Sequence, residues 1–351
     1  RTNTPNIDLK YRSALQESEI IPALPGEERF TFDLRFNTRT RSQLYGLAWA
    51  FNVTDRLSLG VSLFGAYYST DAGNNLEYAI QADASGVVFS QNRQSLRQDS
   101  YGLLSKIGVS YVLPGIDLGL NINLPYLELF GNGRFQYNDV LAGLSPEQDQ
   151  VFDYRFRDLS SRQRTPLGLS LGAGLPVGKH KLHLNIDYIA GLAAYQRLRV
   201  PPIGLGGETP SEVRWVEERD AVFNFGLGAE IFLSEGVMLY SGFSTDNNAM
   251  TANSNVLIIG GRPGFRADSG EDFLHFGLGT GLNFSWADVT LGATFTQSRS
   301  NAPNPFGIGN ENIDDSGNLQ STIITSRWQF IVGLDIPFLD AKVNSLFNQK
   351  E

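Results

Sequence analysis

The sequence predicts an all-β fold: a transmembrane antiparallel up-and-down β-barrel of about 12 strands, with short turns on one side and long loops on the other. Three observations predict it. Long stretches alternate strictly between apolar and small or polar residues. Tight turns and long polar segments take turns in separating those stretches. Aromatic residues gather at both ends of the apolar faces.

Alternation places one side chain in two on each face of a strand. Tyr45, Leu47, Trp49, Phe51 and Val53 share a face, against Gly46, Ala48, Ala50 and Asn52. Leu57, Leu59, Val61, Leu63 and Tyr67 oppose Ser58, Gly60, Ser62 and Ala66. Ile116, Leu118, Leu120, Ile122, Leu124 and Tyr126 oppose Asp117, Gly119, Asn121 and Asn123. The same reading holds at 167–177, 182–188, 223–233, 274–286 and 328–338. These runs are longer than the usual soluble strand of about 5–6 residues. They match the roughly 9–11 residues that a tilted strand needs to cross a bilayer. A face of Gly, Ser and Asn suits a lumen better than a water-bathed sheet.

The connections fall into two classes. Thr54-Asp55-Arg56, Pro114-Gly115, Gly178-Lys179-His180, Ser234-Glu235-Gly236 and Ala287-Asp288 suit tight hairpins. Between them lie 69–100, 128–165, 191–221, 245–272 and 298–321, long polar segments whose internal alternation at 151–157 and 212–217 predicts strands continuing beyond the membrane. Outer-membrane barrels have short periplasmic turns and longer extracellular loops. Counted by this rhythm, an upward strand at 6–14 precedes the strand ending at Val53, and the total is twelve; fourteen follows if a long segment hides a further pair. Residues 1–338 then form a single barrel and 339–351 a periplasmic tail, which puts both termini in the periplasm of a Gram-negative outer membrane. Phe51, Tyr111, Phe284, Trp286 and Phe338 make one interfacial girdle; Tyr45, Tyr67, Tyr101, Tyr126, Tyr188, Phe223, Phe276 and Trp328 make the other.

Composition narrows the function. The 37 Asp and Glu outnumber the 28 Lys and Arg, which argues against a nucleic-acid partner. There is no cysteine, and the three histidines, His180, His183 and His275, form no close pair, so neither a metal site nor a cofactor is expected. No stretch of 18 apolar residues occurs, which leaves strands as the only spanning element. The ionisable residues expected in the lumen are Lys106, Asp117, His183, Asp187, Glu230, Arg327 and Asp335. They serve either as a polar pathway or as a hydrogen-bonded network that fills a narrow interior. Lys106 should face Asn123 across the Pro114-Gly115 turn. No catalytic residues are assigned, because a barrel hydrolase needs a Ser–His pair that neither lumen histidine supplies.

Several hairpins carry a resemblance. They are Tyr45–Ser62, Lys106–Tyr111 leading through Leu118 to Pro125, Phe225–Leu233 with Leu239–Asp246, and Phe276–Phe284. In these the chain resembles the long-chain fatty acid transporter family of outer-membrane proteins. The resemblance implies a fourteen-stranded barrel with an N-terminal hatch in its lumen. It also implies that hydrophobic ligands bind inside and leave sideways through a strand kink. The chain departs from that pattern in its count of twelve, its lack of an Asn-Pro-Ala hatch motif and its continuing C-terminal tail. No binding residue carries over by position. The leading expectation is a transport or channel protein for passive uptake of small hydrophobic compounds, with membrane lipids as its surroundings. The alternative is a structural or partner-binding barrel that holds other outer-membrane or periplasmic proteins. An outer-membrane hydrolase ranks third.

Overall fold

The structure is a computed structural model that describes residues 7–18, 27–82, 86–266, 270–303 and 320–336. All its regular elements are strands, and every pairing between them is antiparallel. In chain order they are β1 (Ile7–Ser18), β2 (Glu27–Asn52), β3 (Leu57–Ala82), β4 (Gly86–Leu113), β5 (Ile116–Asn123), β6 (Leu127–Ala142), β7 (Gln150–Ser160), β8 (Gly168–Val177) and β9 (His180–Ile189). Then come β10 (Leu192–Arg199), β11 (Val213–Arg219), β12 (Val222–Ser234), β13 (Val237–Asp246), β14 (Val256–Ile259), β15 (Arg262–Arg266), β16 (Phe273–Asn283), β17 (Asp288–Pro303) and β18 (Gln320–Asp335).

One continuous sheet follows the path β1-β2-β3-β4-β5-β8-β9-β12-β13-β16-β17-β18, with β6 and β7 attached above β5 through β4. The path is the predicted meander of twelve. Its tight turns have the chemistry that the sequence shows. Val53 N–H donates to the Leu57 carbonyl at 2.8 Å, and the Thr54 hydroxyl accepts from the Arg56 and Leu57 amides. Gly115 and Gly236 hold φ near +86° and +83°, where a side chain is strained.

The apolar faces point outward into what a soluble protein would fill with water. Tyr45, Leu47, Trp49, Phe51, Leu171, Phe223, Leu227, Leu278, Trp328, Phe330 and Val332 are all exposed. A contiguous apolar surface of this extent marks a membrane interface. The partner face of the same strands is the lumen wall.

β2, β3 and β4 have 26, 26 and 28 residues. A crossing takes roughly 9–11, so more than half of each strand projects beyond the membrane on the loop side. β1 pairs with this projecting part: Ile7 faces Thr38 and Ser18 faces Glu27. The strand expected at 6–14 therefore exists, but it lies beside the upper half of β2 and not beside Tyr45–Phe51. Among the described residues, no ladder joins β18 to β1 or β2. Of the segments expected as loops with some strand character, 69–100 and 128–165 are largely strand, while 191–221 and 245–272 each contribute two short strands between irregular stretches. Phe338, the tail 339–351 and most of the segment 298–321 lie outside the described residues.

The long segments also build a second sheet, in the order β10-β11-β14-β15. Its register is non-local: Trp215 on β11 pairs with Leu257 on β14. This sheet packs on the inner face of the projecting wall. Ala72, Leu96, Phe135, Tyr137 and Leu159 from the wall meet Leu198, Val213, Trp215, Leu257 and Phe265 from the second sheet and Ile203 from the β10–β11 connection. Gly133 makes the close approach: a Cβ there would collide with the Leu198 side chain. Each large side chain buried in such a layer contributes about 1.5–3 kcal/mol.

Candidate functional site: a capped lumen with an interrupted wall

The cap is tied to the wall by one buried cation. The Arg197 side chain is only 7% exposed and reaches five polar partners. Its Nε donates to Gln98 Oε1 at 2.9 Å. Its Nη atoms donate to Asn255 and Gln163 at 2.9 Å each, to Thr70 at 3.2 Å and to Glu217 at 3.5 Å. Its guanidinium lies 4.3 Å from the Trp215 ring centroid. Thr70 and Gln98 belong to the lumen-facing rows of β3 and β4; Trp215, Glu217 and Asn255 belong to the cap. A buried guanidinium holds its place only when its donors are satisfied, so Arg197 pins one layer to the other. Nothing in the local sequence around Arg197 announces this, because its partners lie 20 to 127 residues away in the chain.

Below the cap, the lumen wall has two chemistries. On β8 to β17 it carries glycine and small polar groups. A cavity of about 660 Å³ there is lined by His183, Asn185, Asp187, Asn224, Ser244 and His275 among others. Beside the loop-side part of β3 and β4 it is apolar instead: Ala66 on β3, Leu104 on β4 and Tyr126 just before β6 are buried together, with Phe64 and Tyr68 packed against them.

The second feature is a break in the wall. β5 pairs with β8 up to Asn123–Gly168. Pro125 has no N–H and cannot continue that ladder. Beyond it β6 pairs with β4 and β7, with a register shift at Tyr101/Gly102, and no ladder joins β6 to β8. Side chains bridge the seam. Tyr126 N–H donates to Thr165 Oγ1 at 2.9 Å, and Gln163 N–H donates to Glu128 Oε2 at 2.9 Å. Ser100 donates to the other Glu128 oxygen at 2.8 Å and lies 3.0 Å from the Tyr126 hydroxyl. The break reverses the side-chain alternation. Tyr126, expected in the outer girdle, therefore turns inward and is 6% exposed.

The lumen candidates read from the sequence are not gathered into one site. Asp117 pairs with Lys181 at 2.8 Å, and His183 pairs with Glu230 at 2.8 Å. Asp187 accepts from Asn185 at 2.6 Å. Lys106 stands opposite Asn123, Arg327 opposite Thr296, and Asp335 opposite Asp288. Lys181, bonded to Asp117 and opposite Glu230, links Asp117, Glu230 and His183 into one group. Asp187 is bonded within its own strand, and Lys106, Arg327 and Asp335 stand elsewhere on the wall. Among the described residues, no three His, Asp or Glu side chains come together in a way that could hold a metal.

An antiparallel meander with a lipid-facing belt, tight turns on one side and folded loops on the other is the architecture of an outer-membrane β-barrel. Within that class the fold is similar to that of a solved FadL homologue. A Pseudomonas aeruginosa FadL homologue matches with a TM-score of 0.53 at 13% identity, over 95% of this chain and 88% of that one. The CymD monoaromatic hydrocarbon channel matches at 0.43 and 12%, over 94% and 78% of the two chains. The P. putida toluene transporter TodX matches at 0.42 and 10%, over 89% and 82%. No family model matches the sequence, and no curated protein matches it.

Proposed function

We infer that the protein is a passive outer-membrane channel for small hydrophobic compounds, with the folded loops outside the cell. The observation that carries this reading is the apolar lumen cluster of Phe64, Ala66, Tyr68, Leu104 and Tyr126, set directly beside the wall break at Leu124–Tyr126. A hydrophilic pore has no use for a buried aromatic patch, which offers binding area only to an apolar solute. Above it, the cap blocks a straight aqueous route. At the seam the backbone ladder is replaced by side-chain hydrogen bonds, which rearrange at lower cost than a ladder. A hydrophobic molecule held by the cluster has a short sideways path to the lipid. The relatives named for hydrocarbon transport are consistent with such a cargo. In this arrangement β18 runs toward the tight-turn side, which we read as periplasmic, with residues 1–338 as the barrel unit and 339–351 as a tail; β1 begins level with Thr38 on the loop side and lends no support to a periplasmic N-terminus. The polar residues Lys106, Asp117, His183, Asp187, Glu230, Arg327 and Asp335 keep the remaining wall rigid and wet.

The test is single-channel conductance of the purified protein in a planar bilayer. The capped lumen predicts no steady ionic current, together with saturable binding of a small aromatic hydrocarbon by the same preparation. A steady ohmic current without hydrocarbon binding would overturn the reading.

A further inference from the structure

On the projecting wall, the outward face changes character immediately above the lipid-facing belt. The last aromatic row is Tyr67, Tyr101 and Phe130, with ring centroids 4.8 and 4.9 Å apart in sequence across the strands. The next row, read across β2, β3, β4 and β6, is Arg41–Ser69–Asp99–Asn132. The row above is Arg39–Asp71–Arg97–Arg134. These two rows carry four arginines and two aspartates in a chain whose net charge is −9. Asp99 is already engaged, by Arg97 at 2.9 Å and by the Tyr67 hydroxyl at 2.7 Å. Arg39, Arg41 and Arg134 are exposed and have no hydrogen bond or ion pair to a side chain among the described residues. Higher on the same face the charges are balanced: Arg35 and Arg93 stand with Asp33, 2.9 Å from Arg35, and Glu77. The surplus of positive charge is confined to the height at which headgroups meet the wall.

We propose that Arg39, Arg41 and Arg134, continuous with the Tyr67–Tyr101–Phe130 row, form a binding site for the anionic phosphate headgroups of the surrounding loop-side leaflet. The acyl chains lie along the apolar belt, the aromatic rings sit at the ester level, and the guanidinium forks meet phosphate oxygens in paired hydrogen bonds. The site rests on the lipid-facing assignment of this face and not on the transport reading, so either can fail alone. An arginine near an anionic membrane surface contributes about 1 kcal/mol, so losing three lowers affinity about a hundredfold.

The experiment is to place the full chain in nanodiscs of equal phosphatidylglycerol and phosphatidylcholine, extract it into mild detergent, and measure the retained lipids by native mass spectrometry. Wild type should retain phosphatidylglycerol in excess. The excess should vanish in the R39Q/R41Q/R134Q variant, persist in R39K/R41K/R134K, and fall with rising salt in wild type. Equal retention of the two lipids by wild type, or an excess that survives the glutamine variant, would overturn the proposal. So would displacement of the lipid by millimolar inorganic phosphate, which would make the site one for a free anion. If the glutamine variant fails to fold, the salt dependence of the wild type decides, and an excess indifferent to salt contradicts the site.

Discussion

The Tyr126 ring lies over the backbone of Gly102, with its hydroxyl and Cζ 2.7 Å from where a Cβ on Gly102 would be. The same Cβ would collide with the Leu127 carbonyl oxygen. Glycine at 102 is therefore what allows Tyr126 to close over the lumen at the wall break. Gly102→Ala should push Tyr126 off its edge-on contact with Tyr68, at 5.0 Å between centroids, and open the seam. Overpacking of this kind costs about 1–3 kcal/mol. The variant should still assemble, show a lower unfolding temperature and bind a small aromatic hydrocarbon several-fold more weakly, as measured by titration of the purified protein.

Arg197 holds the cap. Arg197→Ala leaves Glu217 buried without this partner and removes the donors that Gln98, Gln163 and Asn255 accept from. Breaking a buried pair from one side costs about 3–5 kcal/mol, and here the loss falls on the cap. The segment between β10 and β11 should become cleavable by protease, and a steady ionic current should appear in planar bilayers, while the barrel still shows its heat-dependent gel mobility. A variant that stays silent and protease-resistant would show that the cap is held by its apolar layer alone.

The register of β3 separates two neighbouring positions. Leu59 lies opposite Phe51 and Val109 on the lipid side, and Ser58 donates to Asn52 Oδ1 at 2.7 Å on the lumen side. An arginine in lipid costs about 2–4 kcal/mol at mid-membrane and less near an interface. Leu59→Arg should lower the yield of assembled barrel far more than Ser58→Arg. Equal yields by membrane fractionation would refute the register.

Tyr137, in the projecting part of β6, titrates late. Burial pushes its hydroxyl up to about 12, aided by Asp139 and opposed by the Asn92 hydrogen bond. A raised value means that the folded state holds the proton longer than the unfolded one. The contribution is complete below pH about 10 and is lost as pH rises toward 12. Tyr137→Phe should flatten the alkaline loss of stability in that window, with the wild type followed by phenolate absorbance alongside unfolding.

How far the sequence could be read depended on the range of the interactions. The hairpins were legible because a short turn ties register to alternation: the Pro114-Gly115 turn alone places Lys106 opposite Asn123. The cap was not legible, although alternation at 212–217 marked a strand there. Its partner on β14 lies some forty residues on, and no turn connects the two. Arg197 looked like any loop arginine because what defines it is five partners from distant strands. Tyr126 was placed on the wrong face because the alternation was carried through Pro125, where the missing N–H ends the ladder and the next residue starts a new phase. The position of β1 was missed for a related reason: twelve strands could be counted, but the height at which β1 meets β2 is set by a register that no tight turn declares.

The most direct test of the central claim is uptake of a labelled small aromatic hydrocarbon by cells that have no other channel for it. Wild type, Gly102→Ala and Tyr126→Trp should be compared at matched surface levels. Uptake should be rapid through wild type and several-fold slower through both variants, with no gain for a small sugar in any of them. Sugar influx through wild type, or hydrocarbon uptake unchanged by either substitution, would contradict the claim.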